Sequence, residues 1–369
     1  MKVGDIHYRS IWHDDADGSV KIIDQRWLPH KLEIIDLDST KEFATAIREM
    51  RVRGAPLIGA TAAWGMAKAV ERCSSDANLD VTWDALYNTR PTAYNLRWAL
   101  DRMREHLRPM PAGERAAAAR ALAIEIADED VEINRQIGLH GLDLIRTLIT
   151  EKGGDKPFNI LTHCNAGWLA TVDWGTATSP MFHAFDAGLK IHVWVDETRP
   201  RNQGALTAWE LGCHGVPHTY IVDNAGGHLM QHGQVDMVLV GTDRTTASGD
   251  VCNKIGTYLK ALAAYDNDVP FFVALPSPTI DWTVSDGVRG IPIEERSGLE
   301  VRRQLGRSVA DGSVLDVSIP PDSSPVGNPA FDVTPARMVS GLITERGVVR
   351  ASTDALAKSF PDLQVKHSA

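Results

Sequence analysis

The spacing of apolar residues changes near residue 150. From Ser39 to about Thr150 they recur at helical spacing. Glu114–Ala127 is alanine-rich and built from strong helix formers, and Val131–Leu148 repeats its apolar residues one helical turn apart, so both stretches are predicted helices. Ser39, with Glu42 three residues later, is a capping box that predicts a helix start. Ahead of it, residues 1–40 mix short apolar runs (Val20-Lys21-Ile22-Ile23, Leu32-Glu33-Ile34-Ile35) with turn residues, a pattern for two or three short antiparallel strands. The polar, glycine-containing stretch Thr150–Pro157 reads as a boundary. Beyond it, short β-type runs recur at Asn159–Leu161, Ile191–Val195, Thr219–Val222, Met237–Val240 and Phe271–Leu275, separated by helix-like segments such as Pro180–Ala187, Leu206–Leu211 and Gly256–Ala264. Alternation of this kind predicts a parallel sheet covered by helices. The expected fold is α/β. Residues 1–150 form a mainly helical N-terminal domain carrying a small antiparallel sheet, and residues 151–369 form a Rossmann-like domain with a parallel sheet.

Composition narrows the class. The 369 residues, 43% hydrophobic and 23% charged, suit a soluble globular protein of two domains. No segment approaches the roughly 20 apolar residues of a membrane span, and the opening MKVGDIHYRSIWHDD has no signal-peptide hydrophobic region, so a cytoplasmic protein is expected. The net charge of −10 disfavours a nucleic-acid partner while leaving room for a small phosphorylated one, because a pocket is governed by its local charge. The four cysteines lie far apart without a CxxC pair, and the 13 histidines show no HxH or HExxH spacing, so neither a disulfide framework nor a metal site is expected.

In open parallel sheets ligands bind beyond the carboxyl ends of strands, and the distinctive motifs lie there. The densest is GTDRTTASGDVCNKIGTY at 241–258, where a buried apolar run ends in Asp243 and a small polar loop closes on Asn253-Lys254, read as a helix start. A helix-start lysine opposes the macrodipole, which makes a bound anion there more credible. Asp243 is a candidate acid/base with a pKa raised in a dry pocket; the plain alternatives are an Asx turn or a salt bridge to Arg244. Thr162-His163-Cys164-Asn165-Ala166-Gly167 presents a cysteine before a glycine turn, either exposed with a lowered pKa or simply a small buried side chain. In Asp196–Ala205, Gln203 and Gly204 precede a helix and suit a sugar hydroxyl or a phosphate oxygen, while Asp196 and Arg199 read as structural partners. Asp223–His228 lacks GxGxxG spacing, so a nicotinamide cofactor is not supported and the stretch reads as architectural. In the helical half, Arg53-Gly54-Ala55-Pro56 places a guanidinium and free N–H groups at a proline-started helix, a phosphate cradle, and Arg90-Pro91 repeats the theme.

Taken as a set, RGAPLIG (53–59), RPTAYNL (90–96), THCNAG (162–167), DETRPRNQGA (196–205), GTDRTTASGDVCNKIGTY (241–258), IPIEER (291–296) and NPAFDVTP (328–335) resemble the methylthioribose-1-phosphate isomerase family. That group shares a wider family with ribose-1,5-bisphosphate isomerases and with regulatory subunits of a translation-initiation exchange factor. The resemblance spans nearly the whole chain. It implies a homodimer that converts 5-methylthioribose 1-phosphate to 5-methylthioribulose 1-phosphate in methionine salvage, with no cofactor. The alternatives are isomerisation of another pentose 1-phosphate (5-deoxyribose 1-phosphate or ribose 1,5-bisphosphate) and a noncatalytic regulatory subunit. By the same resemblance Cys164 and Asp243 match the catalytic pair, and Arg53, Gly54, Ala55, Arg90, Gln203, Asn253 and Lys254 match substrate-binding positions. There are two departures: Trp168 stands where a small residue is expected and is read as reshaping the pocket, and Thr242 replaces an alanine.

Overall fold

The computed structural model of the chain describes residues 1–90 and 93–364. Near the N-terminus, Ile11–His13, Val20–Ile23 and Ile34–Leu37 form a three-stranded antiparallel sheet. Five helices follow: α1 (Thr40–Arg48), α2 (Ala55–Arg72), α3 (Asp76–Tyr87), α4 (Tyr94–Leu107) and α5 (Arg115–Lys152). The capping box forms as expected, with the Ser39 hydroxyl accepting from the Glu42 N–H and the Glu42 carboxylate accepting from the Ser39 N–H. The two helices expected from 114 to 148 are one 38-residue helix, about 57 Å long at 1.5 Å per residue. Asp128, Glu129 and Asp130 between them are no helix breakers, so the weaker apolar rhythm there marks a change of neighbour and not an end.

A seven-stranded sheet carries the second half. Its order is Gly347–Val349, Gly341–Thr344, Phe271–Ala274, Met237–Val240, Phe158–Thr162, Ile191–Asp196 and His218–Ile221. All neighbours are parallel except the first pair. Numbered along the chain the order is 3-2-1-4-5-6-7, the doubly wound arrangement with its switch between the first and fourth strands. Four helices between the strands complete the part used below: α6 (Thr178–Asp186), α7 (Gln203–His214), α8 (Ala225–Gln231) and α9 (Thr257–Asp266).

Both faces of this sheet are covered. Met237 and Leu239 join Ile137 and Ile145 of α5 and Phe182 of α6 on one face, while Val238 and Val240 join Leu229 of α8 and Ala261 of α9 on the other. Alternate side chains thus enter two different cores, which is why Met237–Val240 is apolar without interruption. Phe182 is fully buried, and its truncation to alanine is expected to cost about 3–5 kcal/mol. A separate core packs the three-stranded sheet against α1–α4 and the first half of α5. The long α5 contributes to both and binds the halves together, and we propose that the two domains are residues 1–150 and 151–369, divided near its C-terminal end. Among the described residues, no helix is long and apolar enough to cross a membrane.

Candidate active site

The switch point brings the two sequence motifs together. Phe158–Thr162 and Met237–Val240 are hydrogen-bonded neighbours, so the loops leaving their carboxyl ends emerge side by side, one with Cys164 and the other with Asp243. Cys164 sits at φ 68°, a left-handed conformation that costs a non-glycine residue about 1–3 kcal/mol. Hydrogen bonds on both sides of it offset that strain: its N–H donates to the Thr198 hydroxyl (2.8 Å), and its carbonyl accepts from the Thr207 hydroxyl (2.9 Å). The thiol position is therefore set by α7 and by the loop after Ile191–Asp196.

The helical half supplies the opposite wall. Gly54 caps α2 at φ 91°, and a Cβ there would lie 2.5 Å from Cα, Cβ and O of Ala170. Only glycine lets the start of α2 press against the cysteine loop, and this contact delivers Arg53. The buried Arg53 guanidinium donates from Nη2 to Asn165 Oδ1 and from Nη1 to the Asn165 carbonyl (3.2 Å). Arg90 Nη2 donates to Glu294 Oε2 at 3.5 Å. Nε of Arg53, Nε of Arg90 and Oε1 of Gln203 are all buried without a hydrogen-bond partner. Two unspent cationic donors and one acceptor around one space suit a phosphorylated, hydroxylated ligand.

These residues line one cavity of about 50 Å³: Arg53, Gly54, Ala55, Arg90, Cys164, Gln203, Asp243, Asn253 and Lys254 are all in its wall. Nine positions spread over 202 residues of chain converge there, as their motifs led us to expect. A larger cavity of about 720 Å³ shares Met50, Arg53, Arg201 and Gln203 with it but touches neither Cys164 nor Asp243, so the chemistry belongs to the smaller one. Met50, Arg201 and Arg296 also line the small cavity, and sequence reasoning gave them no role. Arg201 and Arg296 are each tied to Glu300, at 3.1 and 2.7 Å. Their motifs were visible, but nothing local told these arginines from solvated ones.

Burial pushes the Asp243 carboxyl up from its ordinary value, against the pull of Arg90, Lys254 and Arg53. It pushes the Cys164 thiol up as well, against Arg53 and Lys254, with Asp243 adding to the rise. The same desolvation lowers Lys254 and Arg53. The pocket thus favours a neutral acid and a neutral thiol beside a cationic wall. A bound dianion would offset the cations and strengthen that preference.

Several expectations need correction. Of the two readings left open for Cys164 the buried one holds: it is 8% exposed with its pKa raised, and the start of α2 packs against its loop. Asn253 and Lys254 do not start a helix. They end the strand Val251–Lys254, paired with Phe331–Thr334, and α9 begins at Thr257, so the macrodipole argument for Lys254 fails while its buried place in the cavity wall stands. Its ammonium lies 5.0 Å from the Phe331 ring centroid. Arg90 precedes α4, but that helix starts at Tyr94, and Pro91 and Thr92 lie outside the described residues. Asp196 does not pair with Arg199. It meets His163 (3.2 Å) and the Lys260 ammonium (3.1 Å), while Arg199 donates to Gln304 Oε1 and the Val301 carbonyl. Trp168 does not reach the cavity; it is fully buried on the far side of the loop, its ring stacked 5.8 Å from that of Trp209. Arg244 approaches Asp281 (3.7 Å) and not Asp243. The Thr242 hydroxyl lies 2.9 Å from the carbonyls of both Arg244 and Cys252, sharing its one hydrogen between them, and accepts from the Arg244 N–H, steadying the turn that carries Asp243. The architectural reading of Asp223 fits, since its carboxylate accepts from the N–H groups of Thr198 and Arg199.

Ligand atoms of His163, Asp196 and Asp223 lie within 4.8 Å of one another, the one such group among the described residues. The Lys260 ammonium, 3.1 Å from Asp196 and donating to the Asp223 carbonyl at 2.6 Å, already supplies the positive charge there. This cluster braces the strand ends behind the cavity.

Comparison with known proteins identifies the family. The model of the initiation factor 2 subunit family matches residues 51–351. The methylthioribose-1-phosphate isomerase of Brucella anthropi is 64% identical over 363 residues, covering 98% of this chain and 100% of that protein. The crystal structure of 5-methylthioribose 1-phosphate isomerase from Pyrococcus horikoshii superposes with a TM-score of 0.81 at 39% identity, covering 98% of this chain and 100% of that one. The translation initiation factor eIF-2B delta subunit from A. fulgidus gives 0.78 at 38% identity, covering 96% and 100%. With a doubly wound sheet, a family model matching residues 51–351 and full-length identity of this order, the chain belongs to the initiation factor 2 subunit family, within its methylthioribose-1-phosphate isomerase group.

Proposed function

We propose that the protein is an isomerase of a sugar 1-phosphate that converts 5-methylthioribose 1-phosphate, an aldose, to the ketose 5-methylthioribulose 1-phosphate in methionine salvage. The full-length identity to proteins of that name supports the substrate. The observation that carries the chemistry is a half-buried acid and a buried thiol facing one cavity with Arg53, Arg90 and Lys254. The substrate sets a specific problem: its anomeric oxygen carries the phosphate, so the ring cannot open to a free aldehyde. A neutral Asp243 solves the first half by donating its proton to the ring oxygen as the C1–O bond breaks. The hydrogen on C2 then moves to C1, and the C2 hydroxyl becomes the carbonyl. In a hydride route the hydroxyl proton returns to the Asp243 carboxylate. In a proton route Cys164, as thiolate, takes the C2 hydrogen as a proton and returns it to C1, and the hydroxyl proton again passes to the Asp243 carboxylate. Cys164 is the partner at C1/C2, and its raised pKa favours the thiol over the thiolate. Arg53, Gly54, Ala55, Arg90, Asn253 and Lys254 hold the phosphate and Gln203 a sugar hydroxyl.

The test is ketose formation, followed by NMR, from 5-methylthioribose 1-phosphate, 5-deoxyribose 1-phosphate and ribose 1,5-bisphosphate. The highest kcat/KM is expected for the first. A higher value for either of the others reassigns the substrate, and no ketose from any of the three overturns the enzymatic reading in favour of a binding subunit. Cys164→Ser should abolish turnover and leave substrate binding within a few-fold. A homodimer and a cytoplasmic location belong to the same proposal, and molar-mass measurement by light scattering tests the dimer.

A further inference from the structure

We infer that Glu210, which touches no part of the cavity, is a positioning residue that holds Arg53 in line with the substrate phosphate by acting through Asn165. The inference rests on the reading of Arg53 as an anion ligand. Glu210 lies on α7 and is 2% exposed. Its Oε1 accepts from Asn165 Nδ2 and from the Leu169 N–H, and its Oε2 accepts from the Trp168 N–H, each at 2.9 Å. The loop closes on the carboxylate so tightly that a Cβ on Gly167 would lie 1.8 Å from Oε2.

The consequence for Arg53 follows from the two ends of one amide. Asn165 Nδ2 donates both its hydrogens, to Glu210 and to the Thr207 hydroxyl (3.0 Å). With the amide nitrogen fixed on that side, Oδ1 must face Arg53 Nη2, which donates to it. Flipping the amide would set its oxygen against the Glu210 carboxylate and its N–H₂ against the guanidinium, two repulsions in place of two bonds. Glu210 therefore selects one orientation of Asn165, and that orientation leaves Arg53 Nε, buried and without a partner, as a free donor.

The relay is sensitive to protonation. The charged and titratable groups facing Glu210 are Arg53, the Met1 ammonium and, on its own helix, Cys213; Arg53 in turn faces Cys164, Asp243 and Arg201. Burial raises Glu210 to about 7 despite the three N–H donors and Arg53. Below that pH the protonated carboxyl loses acceptor capacity and loosens Asn165. The tether is complete only above it. Ionisation of Asp243 or Cys164 acts in the opposite sense, weakening anion binding as pH rises, so the two effects are separable by direction.

Sulfate is the probe, because its charge stays at −2 across the range of interest. Its Kd is measured by calorimetry at pH 6 and pH 8 on the full-length protein, with the melting temperature recorded alongside. In the wild type, affinity should strengthen from pH 6 to pH 8. In Glu210→Gln it should be about tenfold weaker at pH 8, the scale of one charge-assisted hydrogen bond, and the strengthening should vanish. Asn165→Ala, which leaves Glu210 its two backbone donors, should do the same and serves if Glu210→Gln does not fold. A lowered melting temperature with unchanged sulfate affinity and unchanged pH dependence in either variant would make Glu210 a loop anchor only and overturn the inference. Arg53→Met separates the two layers. Unchanged sulfate binding in it removes the anion reading and the inference together, whereas lost binding there with normal binding in Glu210→Gln removes the inference alone.

Discussion

Replacing Asp243 by asparagine should remove activity and, above acidic pH, raise stability. The carboxamide has the shape of the carboxyl, so the cavity walls stay in place. What disappears is a proton donor at the ring oxygen. General acid catalysis contributes about 10²–10⁴-fold, or roughly 2.7–5.4 kcal/mol of activation free energy, and the loss in kcat should fall in that range. Stability moves the other way. Burial raises the folded-state pKa of Asp243 above the ordinary aspartate value of about 3.9 that it has in the unfolded chain. Between those two values the folded chain binds more protons than the unfolded one, so the wild type loses stability as pH rises through that window. A neutral amide has no such loss. The melting temperatures of variant and wild type should coincide near pH 4, diverge in favour of the variant as pH rises, and differ by a constant amount above the folded pKa. The assays are steady-state ketose formation and thermal unfolding at pH 4–9. A kcat within tenfold of wild type would refute the acid role, and a melting temperature below wild type across the whole range would refute the desolvation argument behind it.

Three further outcomes test the rest of the site. Gly54→Ala forces a Cβ into Ala170 at φ 91°, costing about 2–5 kcal/mol from strain and overpacking, and should lower the melting temperature by several degrees while raising KM; unchanged values of both would mean that the α2 start is not held by this contact. Lys254→Met keeps length and removes charge, so KM should rise at least tenfold in steady-state kinetics, and an unchanged KM would remove Lys254 from the substrate contacts. Arg90 heads the groups that pull Asp243 toward ionisation, so Arg90→Gln should shift the alkaline limb of the kcat–pH profile to higher pH; a shift to lower pH would contradict the electrostatic reading.

Much of the fold was legible because its signals are local. The strands of the large sheet are continuous apolar runs, a direct consequence of burial on both faces, and five of the seven were placed within a residue or two. Gly347–Val349 and Gly341–Thr344 at the sheet edge carry no comparable run. The continuity of α5 was missed, because periodicity reports the apolar face and that face changes partner midway. The strand character of Asn253 and Lys254 was missed for a related reason. Val251–Lys254 is held by pairing with Phe331–Thr334, nearly 80 residues away, and nothing in its own residues announces that partner.

By itself the sequence determined which groups the site contains: an acid after one strand, a thiol after another, and arginines, a lysine and a glutamine at loop and helix edges. Side-chain chemistry is covalent, and motif spacing is written in the chain. Only the tertiary structure decided what those groups are in practice. The start of α2, packed against the cysteine loop, leaves Cys164 buried and Asp243 half-buried, and desolvation pushes both toward their neutral forms; the loop alone had left the exposed and the buried thiol both open. The fold also recruits Glu210, an unremarked helix residue whose carboxylate matters only because Asn165 and Arg53 fold against it. Desolvation and hydrogen-bond direction depend on everything within a few ångströms, and most of that comes from distant parts of the chain.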